Sequence, residues 1–378
     1  MDAQPLKLRT DIQRVSLGRF ALPLGIVPVD LREPVQGYTV TYNPGENEEP
    51  DTYAFHIVVS HERLQPLLRD AFGLLPEEIS PIIEVDSYDA YRTVDVYIGR
   101  EDEPIERETF LAAWSQYEPL LLEDGAIGVG ANSDEPFVEI FIDQWKALSI
   151  HVPLEMRPAV DELLARHLLS EVPATWPPAD SKLRYEATIR PVLEADSEGP
   201  LTVDDVLVEL RNLWSMELNI DPETNVDEGG RELGLTLWHA AIIVSTSRSD
   251  EGEDDDQTAQ VLIDVDEDAD EELLDEGPTA MLSVWASASS LSELEELILE
   301  ALDGNPDYGF LDWYAVARVP FDNRPAQMDD LDLKDRTARV HLLDIMAEDA
   351  DSEADPPEEH PPPPSTTLRE ERSDGESD

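Results

Sequence analysis

The imbalance of charge constrains this chain more than any other feature: 86 aspartates and glutamates stand against 26 lysines and arginines, a formal net charge of −60. A carboxylate taken out of water must find a partner, and partners are scarce here. Nearly all of the acids therefore belong at the surface, and any core must come from the 41% of residues that are hydrophobic. That share is enough to build real cores, so a chain disordered throughout is excluded. At 378 residues the chain exceeds the size at which one core usually keeps growing. Two folded domains with flexible segments are expected.

The acid is unevenly spread. Residues 249–276 hold 15 acidic residues and no lysine or arginine, and residues 347–378 hold 12 acids against two arginines. The rest of the chain is also acidic, and its lysines are only Lys7, Lys146, Lys182 and Lys334. Two readings stand. One is adaptation to a saline interior, where screening relieves self-repulsion; the other is a surface that holds a basic protein. Direct contact with nucleic acid is disfavoured, because binding phosphates requires basic patches.

Cysteine is absent, which removes disulfides, thiolate nucleophiles, zinc–thiolate sites and iron–sulfur clusters together. The apolar stretches of the first thirty residues are broken by Pro23 and Pro28 and lack the basic start and cleavage site of a secretory signal. No stretch approaches the roughly 18 apolar residues of a membrane helix. A soluble cytoplasmic protein with no membrane partner is expected.

Periodicity divides the chain. Residues 1–36 read as a lead-in suited to adding an edge strand. Tyr53, Phe55, Ile57 and Val59 alternate as a strand, and Leu64, Leu67, Leu68, Ala71 and Phe72 form a helical stripe, which Pro66 restricts to a start near Leu64. Strands follow at residues 81–86 and 92–98. Phe110, Ala113, Trp114 and Tyr117 mark a second helix, expected to end at Pro119. Strands at 126–131, 137–142 and 147–152 precede a helix with Pro158 in its first turn. Residues 37–171 thus form a first α+β domain, and the Pro-rich residues 172–181 a linker.

The second domain, 182–346, begins with a strand at 183–193. Thr202 and Asp205 cap a helix bearing Val206, Leu210, Leu213 and Trp214. A long apolar strand, 233–245, leads to an acidic insertion at 249–276, within which residues 259–265 alternate. A strand at 280–286 is followed by a helix with a capping box from Ser292 to Glu295, then by a strand at 311–319 and a short helix carrying Val340, Leu342, Leu343 and Ile345. The fold class is α+β: two domains of mostly antiparallel sheet with helices on one face, each in the order of a ferredoxin-like βαββαβ unit with additions. Residues 347–378 read as a disordered acidic, Pro-rich tail.

Candidate chemistry is sparse. Asp264, Asp266, Asp268 and Asp270, with Glu272 and Asp275, space carboxylates as a calcium loop does. However, Ala269 stands where such a loop turns on Gly, and Asp275 replaces the bidentate Glu, so a solvated acidic run is the simpler reading. No other cofactor is indicated. Gly125, Gly128 and Gly130 have neither the spacing nor the lysine of a phosphate loop and fit tight turns and a close-packed strand. His56, His61, His151, His167, His239, His341 and His360 form no HExxH or HxH motif. His56 and His61 span a strand–helix turn where they could converge, with Asp51 or Asp70 to orient one of them. Glu84, Asp95 and Glu139 lie inside strands. Alternation sets Asp95 with Tyr97 on a solvent face, and Val94, Val96 and Ile98 opposite. Trp114, Trp214, Trp285 and Trp313 fall on core stripes, while Trp176 is either an exposed anchor or packing between domains.

The sequence therefore favours a non-enzymatic binding or regulatory protein with an acidic surface. Its alternatives are a hydrolase using carboxylates or histidine from a scattered site, and an acidic mimic of nucleic acid that binds a basic protein. The saline reading predicts a thermal midpoint that rises from low to molar KCl as self-repulsion is screened. Melts over that range test it, and a flat or falling midpoint removes it.

Overall fold

Residues alternating between apolar and polar must bury one side, and this chain does so on two sheets. The computed structural model describes residues 6–29, 32–45, 50–100, 103–176, 187–194, 202–246, 279–305, 307–330 and 337–346. The acidic insertion with Asp264, Asp266, Asp268 and Asp270, the acidic tail and the second half of the Pro-rich linker, 177–181, lie outside them.

The elements run β1 (Ser16–Leu17), β2 (Phe20–Ala21), β3 (Ile26–Pro28), β4 (Gly37–Asn43), β5 (Thr52–Val58), α1 (His61–Phe72), β6 (Glu78–Asp86), β7 (Val94–Gly99), β8 (Ile105–Glu106) and α2 (Arg107–Glu123). They continue with β9 (Gly128–Asp134), β10 (Phe137–Ile142), β11 (Leu148–Pro153), α3 (Arg157–Arg166), β12 (Ala187–Ile189), α4 (Val203–Leu213) and β13 (Met216–Leu218). Last come β14 (Thr236–Thr246), β15 (Thr279–Ala288), α5 (Leu291–Asp303), β16 (Tyr308–Val319) and β17 (Arg339–Ile345).

The larger sheet has the order β13-β7-β6-β9-β10-β11-β5-β4, with β8 beside β6, and the smaller has β16-β14-β15-β17. Every ladder in both is antiparallel. Mostly antiparallel sheet with helices on one face is thus what the chain builds. The order departs from a ferredoxin-like unit. The meander β9–β10–β11 stands between β5 and β6, the strands that α1 joins, where such a unit has a single strand.

One face of the large sheet packs on the helices. Phe55, Ile83, Val129, Ile140 and Ile150 share a core with Leu64 and Leu68 of α1, Phe110 and Trp114 of α2, and Val160 and Leu164 of α3. That core also takes Val206, Leu210, Trp214 and Met216, the stripe of α4 and the start of β13. Sequence order alone placed these in the second half, but Trp214 packs on Phe110 at 4.8 Å between ring centroids. In the smaller sheet, α5 lays Leu294, Ile298 and Leu302 on Trp238, Ile242, Val284 and Ala286.

Local signals decided some boundaries and lost others. Thr202 and Asp205 form the expected capping box. At α5 the cap is Ser290, accepting from the Glu293 amide, two residues before the expected Ser292. Both prolines sit inside helices. α1 starts at His61 instead of Leu64, because tertiary bonds hold its first turn: His61 meets Glu123, and Arg63 donates to the His167 carbonyl. α2 runs past Pro119 because Leu120, Leu121 and Leu122 are buried beyond it. The expected helix at residues 340–345 is the strand β17, paired with β15. The lead-in adds no strand to the large sheet. β1 and β2 form a hairpin whose Leu17, Phe20 and Leu22 pack on Val58 and Ala147, and β3 pairs with β12.

Glu123, at the C-terminal end of α2, holds that lead-in. Its carboxylate accepts from both terminal nitrogens of Arg14 and from the Leu24 amide, and contacts His61 Nε2 at 3.0 Å. Burial alone would raise this carboxyl, but the hydrogen bonds from His61 and Arg14 overcome it and hold the group at about 2, below its ordinary 4.5. A depressed carboxyl stabilises the fold above its unfolded value and loses that contribution as pH falls through its folded one. The shift corresponds to about 3 kcal/mol, which screening by solvent near Arg14 reduces to about 2 kcal/mol. Glu123→Gln should therefore lower stability by about 2 kcal/mol at pH 7. The difference from the native chain should shrink as pH falls from 4.5 toward 2. Urea unfolding of both proteins across that range measures it, and a constant difference would refute the assignment.

Candidate functional site

The face of the large sheet turned away from the helices is built from the alternate residues of each strand. One row, read across the registers, is Glu217, Ile98, Ile82, Gly130, Phe141, Ser149, His56 and Thr39. The next row on one side is Val96, Glu84 and Gly128, and on the other Ser80, Asn132, Glu139, His151, Ala54 and Thr41. An antiparallel sheet with one solvated face normally carries polar residues there. Here β6, β7 and β10 contribute Ile82, Val94, Val96, Ile98 and Phe141, which are half-buried by their neighbours. None of them belongs to a core cluster of the described residues.

Two glycines shape this face. A Cβ on Gly128 would stand 2.8 Å from the Phe141 ring, and one on Gly130 would strike the β10 backbone. The ring therefore lies beside bare backbone. Close packing, not phosphate binding, accounts for these glycines, as the spacing implied. Gly125 is likewise filled in, by Ile26 and Ile189.

β7 reverses the expected parity. Asp95 and Tyr97 face the helices, with Tyr97 against the first core and Asp95 only 7% exposed. Val94, Val96 and Ile98 face outward. The cause is an ionic cluster where the β6–β7 loop meets β16. Asp89 accepts from the Arg318 amide and Nε, both at 3.0 Å, and from the Tyr91 amide. Arg318 also donates to Asn225 and lies between the rings of Tyr91 and Trp238. Arg92 lies 2.8 Å from Asp95, an ionic contact whose angle is too poor for a hydrogen bond. Burial pushes the Asp95 carboxyl up, against the pull of Ser87 and Arg92. Arg211 of α4 stacks on Tyr97 and donates to the Tyr314 carbonyl.

Above this cluster opens a cleft of about 380 Å³, lined by Tyr91, Arg92, Thr93, Asp227, Glu228 and Arg231 among others. Its polar groups are largely paired with one another. Arg231 meets Asp227 at 2.7 Å, and Glu228 accepts from the Thr93 amide.

Among the described residues the histidines do not converge. His61 meets Glu123, His167 meets Asp70 at 2.9 Å, His151 lies 3.5 Å from Glu139, and Asp51 accepts from Tyr42. In the smaller sheet His239 bonds Ser283 and His341 bonds Ser287. His56 is buried on the outer face of the large sheet, and His360 is outside the described residues. Among the described residues no group of three or more His, Asp or Glu is arranged to hold a metal ion, and no helix is long and apolar enough to cross a membrane. Trp114 and Trp214 are buried in the first core and Trp313 packs against the second, but Trp285 stacks on His239 instead of joining a core. Trp176 packs with the lead-in hairpin beneath Arg32. Lys146, which sequence did not single out, is buried and donates to the Ile127 carbonyl; burial pulls its ammonium down to about 8.

A scan against protein-family models, a search of curated proteins and a search of solved structures each returned no match.

The ionic cluster predicts a large, specific stability effect. Asp89→Ala leaves Arg318 buried without its carboxylate and should cost about 3–5 kcal/mol. Pairing it with Arg318→Met should recover a good part of that loss. Denaturant unfolding of the two single variants and the double variant checks this, and simple additivity would contradict it.

Proposed function

We propose that this is a non-enzymatic binding or regulatory protein, working in the cytoplasm, whose acidic surface holds a basic partner. The observation that carries this reading is the outer face of the large sheet. There, apolar side chains that belong to neither core lie among the carboxylates of Glu84, Glu139 and Glu217, and no lysine or arginine occupies an outward register position of β4–β7, β9, β10 or β11. Opposite charge steers encounter and excludes like-charged competitors, while apolar contact supplies the lasting affinity.

Two further features support binding over hydrolysis. Each histidine with an identified carboxylate or serine partner has its own, so these five imidazoles of the described residues do not gather round a common reacting point. The cleft beside Arg92 is polar, with its main charges mutually paired, unlike the apolar pocket with a few convergent polar groups that suits a small substrate. The acidic runs at 249–276 would add a negative field to the same task.

Immobilised full-length protein should retain a basic protein from a lysate of its own cells at 0.1 M KCl and release it at 1 M KCl. The purified partner should then bind with an affinity that falls steeply with salt. If it retains nothing beyond what an unrelated, equally acidic protein retains, this reading fails.

A further inference from the structure

Resting on that binding reading, we infer that the patch formed by Ile82, Val96, Ile98 and Phe141 is the docking surface, and that it takes an amphipathic helix of the partner, apolar on one side and flanked by lysine or arginine.

Three observations lead to this. First, the patch is continuous. Ile98, Ile82, Gly130 and Phe141 follow one another across four neighbouring strands, and Val96 lies beside Ile98 on β7. Gly128 and Gly130 bring no side chain of their own, and the Phe141 ring lies against Gly128, so the row from Ile82 to Phe141 is closely packed. Second, β6, β9 and β10 are interior strands, hydrogen-bonded on both sides. No further strand can be added there, so the partner must lie across the face. The opposite face shows what such a surface accommodates: α1 and α2, packed through leucines and aromatics.

Third, charge selects the occupant. The fixed charges at the outward registers around the patch are carboxylates: Glu84 and Asp86 on β6, Glu139 on β10 and Glu217 on β13. A second copy of this chain would bring a net charge of −60 against another −60. The chain's own apolar stretch 259–265 is flanked by acidic runs and would set carboxylate on carboxylate. A basic amphipathic helix satisfies both the apolar row and its rim.

The test uses the full chain and two 18-residue probe peptides of equal charge, one of leucine and lysine with helical amphipathicity, the other of glutamine and lysine. At 0.15 M KCl the leucine–lysine peptide should bind at least ten-fold tighter. In Ile82→Thr/Val96→Thr that preference should fall to two-fold or less, while Ile345→Thr, which alters an exposed side chain of the smaller sheet, leaves it intact. Glu84→Gln/Glu139→Gln keeps the apolar row and should weaken the leucine–lysine peptide three-fold or more, which covers the case in which the threonine variant fails to fold. Equal binding of both peptides to the native chain would overturn the docking surface yet leave the electrostatic reading standing, as would a preference that survives in the threonine variant. If neither peptide binds better than to an unrelated protein of similar charge, both fall. A dimer in 1 M KCl that the threonine substitutions dissociate would assign the face to a second copy and overturn the proposal.

Discussion

Pairing of buried carboxylates is the constraint on which the rest of this structure depends. Five acids are buried among the described residues, Asp89, Asp95, Glu118, Glu123 and Asp124. Each has a cation near it. Arg318 meets Asp89, Arg92 meets Asp95, Arg69 meets Glu118, Arg14 meets Glu123, and the charge of buried Lys146 acts on Asp124. A buried ion left alone is far more costly than a pair, so in a chain this poor in cations these positions draw on a small supply. The pairs also decide tertiary geometry. Arg14–Glu123 fastens the lead-in to the end of α2, and Asp89–Arg318 fastens the β6–β7 loop to β16. The consequence falls on the exterior, where most carboxylates have no cation to meet.

That arrangement explains which parts of the fold were legible in the sequence. Strand and helix periodicity located β5, β10, β11 and α4 closely, because each buries one side against a core and its apolar residues repeat accordingly. The cap at Thr202 was legible because it is a local hydrogen bond between a side chain and an amide three residues on. Pro66 and Pro119 misled for the opposite reason. What holds those turns is not local: Glu123 reaches Arg14 and His61 across the fold, and no nearby residue announces it. β17 was misread as helix because four apolar residues in seven fit either period. Its pairing with β15 lies more than fifty residues away in sequence.

The outer face shows a deeper limit. Alternation in Val94–Gly99 establishes two sides but not which is inside. Hydrophobicity alone votes for burying Val94, Val96 and Ile98. The structure buries Asp95 and Tyr97, because Arg92 and Arg211 stand on the helix side to receive them. Arg318 of β16 reaches Asp89 and Arg211 of α4 reaches Tyr97 from segments more than a hundred residues away, and nothing in a single sequence announces those two contacts. The sequence did hold one hint: Arg92 stands three residues before Asp95, near enough to meet the carboxylate when it turns inward.

Salt acts on the two parts of this surface in opposite directions. Screening relieves repulsion among exposed carboxylates and leaves the buried pairs nearly untouched, so on the saline reading the folded state would gain as ionic strength rises. The same screening weakens any attraction between the acidic exterior and a basic partner. A protein working in a saline interior would thus be more stable where its electrostatic grip is weakest. Docking on the apolar row from Ile98 to Phe141, as proposed, would resolve that conflict, because burial of apolar surface does not depend on a Debye length and is strengthened by salts excluded from protein surfaces. On the proposed binding reading, the acidic rim would govern which partner approaches and how fast, and the apolar row how long it stays. The two readings of the acidity, saline adaptation and recognition of a basic protein, are on this account compatible properties of one surface.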